Sequence, residues 1–220
     1  MQLSEITSPQ VHDLLLLDPD ALQPMCSDAP NWVRPSLASC PWVVIRRAQA
    51  PAGQIAVGVR GSTRSERWGC FVSKDFVRKV VRPTELLALA RSESRTLRTA
   101  PFRSLRELTA RWRDLALPWG PMGSAGFELA TGCPVTTGLS DLDVAIRAEE
   151  RISLEHARSL WERALGLPTK VDIRVETPAC GFSLEEYAHA HSPILLRYRD
   201  RVQFGDDPWG EALVALEGLE

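Results

Sequence analysis

The sequence predicts an α+β fold with α/β character. A mixed C-terminal sheet with helices follows a smaller N-terminal part built from antiparallel strands and helices. Three observations carry this. Trp42–Arg47, Gln54–Arg60 and Arg67–Val72 read as strands, with Pro51-Ala52-Gly53 and Gly61-Ser62-Thr63 as turns between them, the pattern of an antiparallel meander. Beyond residue 100, helix-like and strand-like runs alternate. Two of those later strands, around Leu142–Ile146 and over Val171–Glu176, place apolar residues at alternate positions and charged residues between them. The boundary is expected near residue 95, giving domains 1–95 and 96–220. A chain of 220 residues buries one large core or two small ones.

Taken in order, Ser8-Pro9 predicts a short helix through His12 to Leu17, with Ser as cap and Pro at the first helical position. Residues 19–39 read as an irregular connection. After the meander, Asp75–Arg91 is expected to be helical, interrupted at Pro83. Ser104-Leu105-Arg106-Glu107 is a capping-box pattern and predicts a helix to about Leu115. Phe127–Ala130 fits either strand or helix. The Asp141 strand, a helix over 153–165 and the Asp172 strand come next. A second capping box, Ser183-Leu184-Glu185-Glu186, opens a helix to about His191. Short strands at Ile194–Tyr198 and Val202–Phe204 precede a final helix from about Trp209.

Composition is that of an ordinary globular chain, 44% hydrophobic and 25% charged. No apolar run approaches the ~20 residues of a membrane span. The start, Met1-Gln2-Leu3-Ser4-Glu5, has no basic segment, so no signal peptide is expected. Cys26, Cys40, Cys70, Cys133 and Cys180 are scattered and never form CxxC, which predicts reduced thiols, a cytoplasmic protein and no zinc site. Charge is segregated: residues 34–113 carry 17 bases against 5 acids, whereas residues 114–220 carry 9 against 18. Nearly all the bases are Arg, whose fork suits phosphate and carboxylate. A basic middle beside an acidic domain suits a polyphosphate substrate or an acidic protein partner, or it is simply a solvated surface. Neither nucleic acid nor membrane is expected as a partner.

The chemistry concentrates in Gly123-Ser124 and Ser140-Asp141-Leu142-Asp143. On a strand, Asp141 and Asp143 project from one face while Leu142, Val144 and Ile146 take the other. Adjacent carboxylates repel unless a cation or proton lies between them. Oxygen-only ligands point to Mg²⁺ or Mn²⁺. Asp172, on the second alternating strand, can complete a three-carboxylate cluster, or it can pair with Arg174. Arg147 shares the Asp143 face about 13 Å further along. A Gly-Ser turn offers amides and a hydroxyl to phosphate. Together these suit phosphoryl or nucleotidyl transfer. Ser124 as a hydrolase nucleophile is disfavoured, because Met122 stands where the elbow motif needs Gly. Arg60, Arg64 and Arg67 surround a Gly-rich turn and could grip phosphates or only solvate it.

The order Gly-Ser, then Asp-x-Asp, then a lone Asp on a later strand resembles the nucleotidyltransferase superfamily related to DNA polymerase β. The longer run from Gly123 to Asp143, with His12-Asp13 to Asp18-Pro19 and Arg60-Gly61 to Val72, resembles malonate decarboxylase holo-[acyl-carrier-protein] synthases, the phosphoribosyl-dephospho-CoA transferases. The resemblance implies a nucleotidyltransferase-like C-terminal domain. It implies transfer of the phosphoribosyl-dephospho-CoA group from 2′-(5″-triphosphoribosyl)-3′-dephospho-CoA to a serine of the acyl-carrier subunit of malonate decarboxylase, with release of diphosphate. The family's paired aspartates fall on Asp141 and Asp143, the third superfamily carboxylate on Asp172, and the phosphate-binding pair on Gly123 and Ser124. Two alternatives stay open at this point: another metal-dependent nucleotidyltransferase, or a non-catalytic carrier-binding assembly factor.

Overall fold

Leu14-Leu15-Leu16-Leu17 does not close a helix. In the computed structural model, which describes residues 8–63, 65–92, 99–189 and 192–210, it forms strand β1 (Leu14–Leu17). His12 sits at a left-handed φ of 75°, which stops a helix from running on from Ser8-Pro9. The leucine run then pairs on both sides and is buried between its neighbours, so tertiary pairing overrides the local start signal.

The first unit spans Met1–Arg82. It contains β1, α1 (Leu22–Met25), α2 (Val33–Ser39), β2 (Trp42–Ile45), β3 (Gln54–Arg60), β4 (Arg67–Ser73) and β5 (Val77–Val81). Their order in the sheet is β4-β3-β2-β1-β5, antiparallel throughout. The expected meander is therefore present. Helix was expected over 75–91, but its first part is strand β5: Val77, Val80 and Val81 are stiff at χ1 and favour the pleat, and the helix waits for Pro83. Leu15, Leu37, Val43 and Val57 fill the core, each at most 1% exposed.

The second unit begins at Pro83. The sequence placed the boundary near 95. However, α3 (Pro83–Ser92) packs on β6 (Trp119–Pro121) so closely that a Cβ at Gly120 would lie 1.9 Å from the Pro83 carbonyl oxygen. Next come α4 (Ala100–Arg111), α5 (Gly123–Thr131), β7 (Leu142–Arg147), α6 (Leu154–Glu162), β8 (Val171–Glu176), β9 (Gly181–Ser183), α7 (Leu184–Ala188), β10 (Ile194–Arg197) and β11 (Val202–Gly205). The sheet runs β11-β10-β9-β8-β7-β6; only β7 and β8 are parallel, with α6 in their crossover.

Ser104 does not cap a helix. It is buried inside α4, where its hydroxyl accepts the Thr169 amide at 3.0 Å. Nor does Ser183 make a side-chain cap; Glu186, its expected partner, accepts the Leu195 amide at 3.1 Å. Phe127–Ala130 is helical, within α5. The helix expected beyond Trp209 lies outside the described residues. Trp209 itself is buried against Phe182 and Tyr187 and donates to the Ala148 carbonyl at 3.0 Å. Leu142, Val144, Ile146, Ile173, Val175 and Phe182 form one fully buried face of the sheet. The other face carries the charges.

Candidate active site

The parallel pairing of β7 and β8 sets Asp143 directly beside Asp172. Paired residues share a sheet face, so both carboxylates project opposite the buried Val144 and Ile173. Both residues are half-buried. Two carboxylates at adjacent positions repel unless a counter-charge is supplied. Arg174, two residues along β8, supplies part of it: its Nη2 donates to Asp172 Oδ2 at 3.1 Å.

Asp141 stands one residue ahead of β7 and is exposed. Strand alternation therefore does not fix its direction. Its neighbours are held: the Ser140 carbonyl accepts from Thr169 Oγ1 at 3.0 Å, and the Leu142 amide donates to the Lys170 carbonyl at 2.9 Å. Among the described residues no group of three or more His, Cys, Asp or Glu is assembled to hold a metal. The structure thus brings Asp143 and Asp172 together and leaves Asp141 beside them. Two carboxylates with oxygen-only donors still fit Mg²⁺, which typically takes one or two carboxylates and completes its shell with substrate phosphate and water.

Gly123 opens α5 at φ +59°, a conformation glycine adopts without strain. It is also pressed against the carboxylate: an added Cβ would meet Asp143 Oδ2 at 1.9 Å. The Met122 amide donates to the Asp143 carbonyl at 2.9 Å, locking the start of α5 to β7. The first-turn amides of a helix have no partner within it and favour anions. Ser124, half-buried, belongs to that turn. The long spacing from Ser124 to Asp141 is also accounted for. Phe127–Thr131 completes α5, and Glu128 accepts the Val135 and Thr136 amides at 3.0 and 2.8 Å, pinning the loop that leads to β7.

Arg147 lies on the same face, in register with Glu176. Sequence reasoning missed Arg197, on β10. It reaches that face because it pairs with Gly181, which in turn pairs with Glu176. Nothing local announces this; only the order β8-β9-β10 does. In the first unit, Arg60 and Arg67 face each other across β3 and β4, while Arg64 lies outside the described residues. Two surface hollows, of about 220 and 400 Å³, are lined around Tyr187 and around Trp68, and neither contains a carboxylate of this pair.

Comparison with known proteins finds one family that matches both units. The family described as "Phosphoribosyl-dephospho-CoA transferase MdcG" matches in both its parts, the N-terminal domain over residues 10–83 and the C-terminal domain over residues 87–208. The chain belongs to this family. The phosphoribosyl-dephospho-CoA transferase of Azotobacter vinelandii is 37% identical over 208 residues, spanning 92% of this chain and 95% of that protein. That of Pseudomonas aeruginosa is 36% identical over 202 residues, spanning 91% and 94%. A Pseudomonas putida relative of the same name is 35% identical over 207 residues. No solved structure matches. The family resemblance and the transferase class expected from the sequence are both shown. The family's two domains meet where the two units divide. No described helix is long and apolar enough to cross a membrane.

Proposed function

We propose that this transferase attaches the phosphoribosyl-dephospho-CoA group of 2′-(5″-triphosphoribosyl)-3′-dephospho-CoA to a serine of the acyl-carrier subunit of malonate decarboxylase. The observation that carries this reading is the in-register pair Asp143 and Asp172 against Gly123, in a chain of this family. Asp143 and Asp172, with Asp141 beside them, would hold Mg²⁺ or Mn²⁺. When bound, the metal neutralises charge on the triphosphate and on the departing diphosphate. Gly123 and Ser124 bind the outer phosphates through the start of α5. The acceptor serine oxygen forms the new bond to the α-phosphorus, and the bond from that phosphorus to diphosphate breaks. Asp172 takes the proton of the serine hydroxyl. The nucleophile belongs to the acceptor, so no serine of this chain needs activation. The Arg-rich stretch 34–113 is the docking region for an acidic carrier.

A reconstituted assay tests this. Purified protein, Mg²⁺, donor and acyl-carrier subunit are combined, and the acceptor's mass is followed with diphosphate release. The expected result is acceptor heavier by one prosthetic group and one diphosphate per transfer. Modification with ATP but not with the CoA-derived donor contradicts the reading in favour of an adenylylating enzyme. Raising salt weakens carrier binding if the arginines dock it; an affinity flat across salt removes that docking role.

A further inference from the structure

Beyond the carboxylates, the charged face of the second sheet continues across β8 and β10 with two arginines. Asp172 pairs with Asp143, Arg174 follows it on the same face, and Arg197 joins through Gly181. Nη1 of Arg174 and Nη1 of Arg197 are both buried without a hydrogen-bond partner. They are the only guanidinium nitrogens in that condition among the described residues. Burial, and then the positive charge of Arg174, hold the Arg197 guanidinium below its ordinary value, against the pull of Glu186 and Asp172. A buried charged donor left unpaired is costly. The positive charge of Arg174, near enough to act on Arg197, adds repulsion. An anion that accepts from both removes both costs, and the planar fork of arginine matches phosphate oxygens.

The position narrows which anion. Gly123 and Ser124 lie on the β6 side of the carboxylate pair, since α5 follows β6 and Gly123 touches Asp143. Arg174 and Arg197 lie on the other side, toward β9 and β10. Two anion-binding positions therefore flank Asp143 and Asp172. The proposed donor carries two separate polyphosphates: the triphosphate that reacts and the diphosphate ester inside its dephospho-CoA part. With the outer phosphates of the first at the start of α5, the second falls to the arginines.

We propose that Arg174 and Arg197 form a second phosphate subsite that binds the diphosphate ester of the donor's dephospho-CoA part. This rests on the donor assigned above. It is tested by calorimetric titration of the full chain with dephospho-CoA and, separately, with inorganic diphosphate, for wild type, Arg197→Gln and Arg174→Gln. The expected result is dephospho-CoA binding weakened about tenfold or more in each variant. In the transfer assay, Arg197→Gln raises the KM for donor by a similar factor and leaves kcat within about threefold. The melting temperature of Arg197→Gln stays at or above wild type, because an unpaired buried cation has been removed; a merely structural arginine would lower it. Unchanged dephospho-CoA affinity in both variants overturns the proposal. So does a loss confined to inorganic diphosphate, which assigns the arginines to the leaving group. Wild type that ignores dephospho-CoA yet modifies the carrier overturns the subsite and spares the function. Wild type that binds dephospho-CoA through Arg197 but transfers nothing does the reverse.

Discussion

Like charges face each other across a strand pair in both units, and the two places differ. Arg60 and Arg67 close the β3–β4 hairpin, next to a turn in which Glu66 accepts the Thr63 amide and the Ser62 hydroxyl, each at 2.9 Å. Those bonds hold the Glu66 carboxyl below its usual range and spend it on the turn. The arginines there stand at the mouth of an ordinary hairpin. Asp143 and Asp172 sit in a parallel pair, which requires a crossover and fixes them on a packed sheet rather than at a turn. A helix start touches one of them and a guanidinium holds the other. Repulsion alone is therefore no mark of a catalytic site. Repulsion built on rigid elements, beside groups that bind anions, is one.

The largest test of that difference removes one charge from each pair. Asp172→Asn lowers turnover by about 10²–10³-fold, whereas Arg67→Gln at saturating carrier stays within about twofold of wild type and raises only the carrier's KM. Initial rates measured over a range of carrier concentrations separate the two; equal losses in turnover would erase the contrast. Gly123→Ala comes next. The added Cβ enters a left-handed conformation and the space of Asp143 Oδ2, so turnover falls roughly 10²-fold through misplacement and unfolding free energy drops ~1–3 kcal/mol. Urea denaturation alongside the assay checks both. Glu128→Ala is smaller. It strands the Val135 and Thr136 amides and costs about 1–3 kcal/mol, seen as a lower melting temperature with the active site otherwise intact. An unchanged melting temperature would mean that the loop does not depend on Glu128.

Much of this was legible in the sequence because period-2 alternation survives folding. Val171, Ile173 and Val175 turned inward as their spacing required, and Asp172 turned outward. The meander over 42–73 was legible for the same reason, with turn residues between its strands. What failed was local signal overridden by distant partners. Leu14–Leu17 follows a helix start yet pairs with β2 and β5. Ser104 reads as a cap but serves Thr169, 65 residues on. Asp141 shows the limit of alternation itself, because the strand begins one residue after it. Arg197 was hidden because its place depends on the register of three strands, and no short window contains three strands.

The most direct measurement is carrier modification by Asp143→Asn, with thermal unfolding run on the same sample. Asp143 is half-buried on a packed strand, and the amide keeps its shape while removing its charge. The expected result is a fall in turnover of at least about 10²-fold with the unfolding midpoint within a few degrees of wild type. Near-normal turnover by that variant would contradict the carboxylate pair as the centre of the reaction.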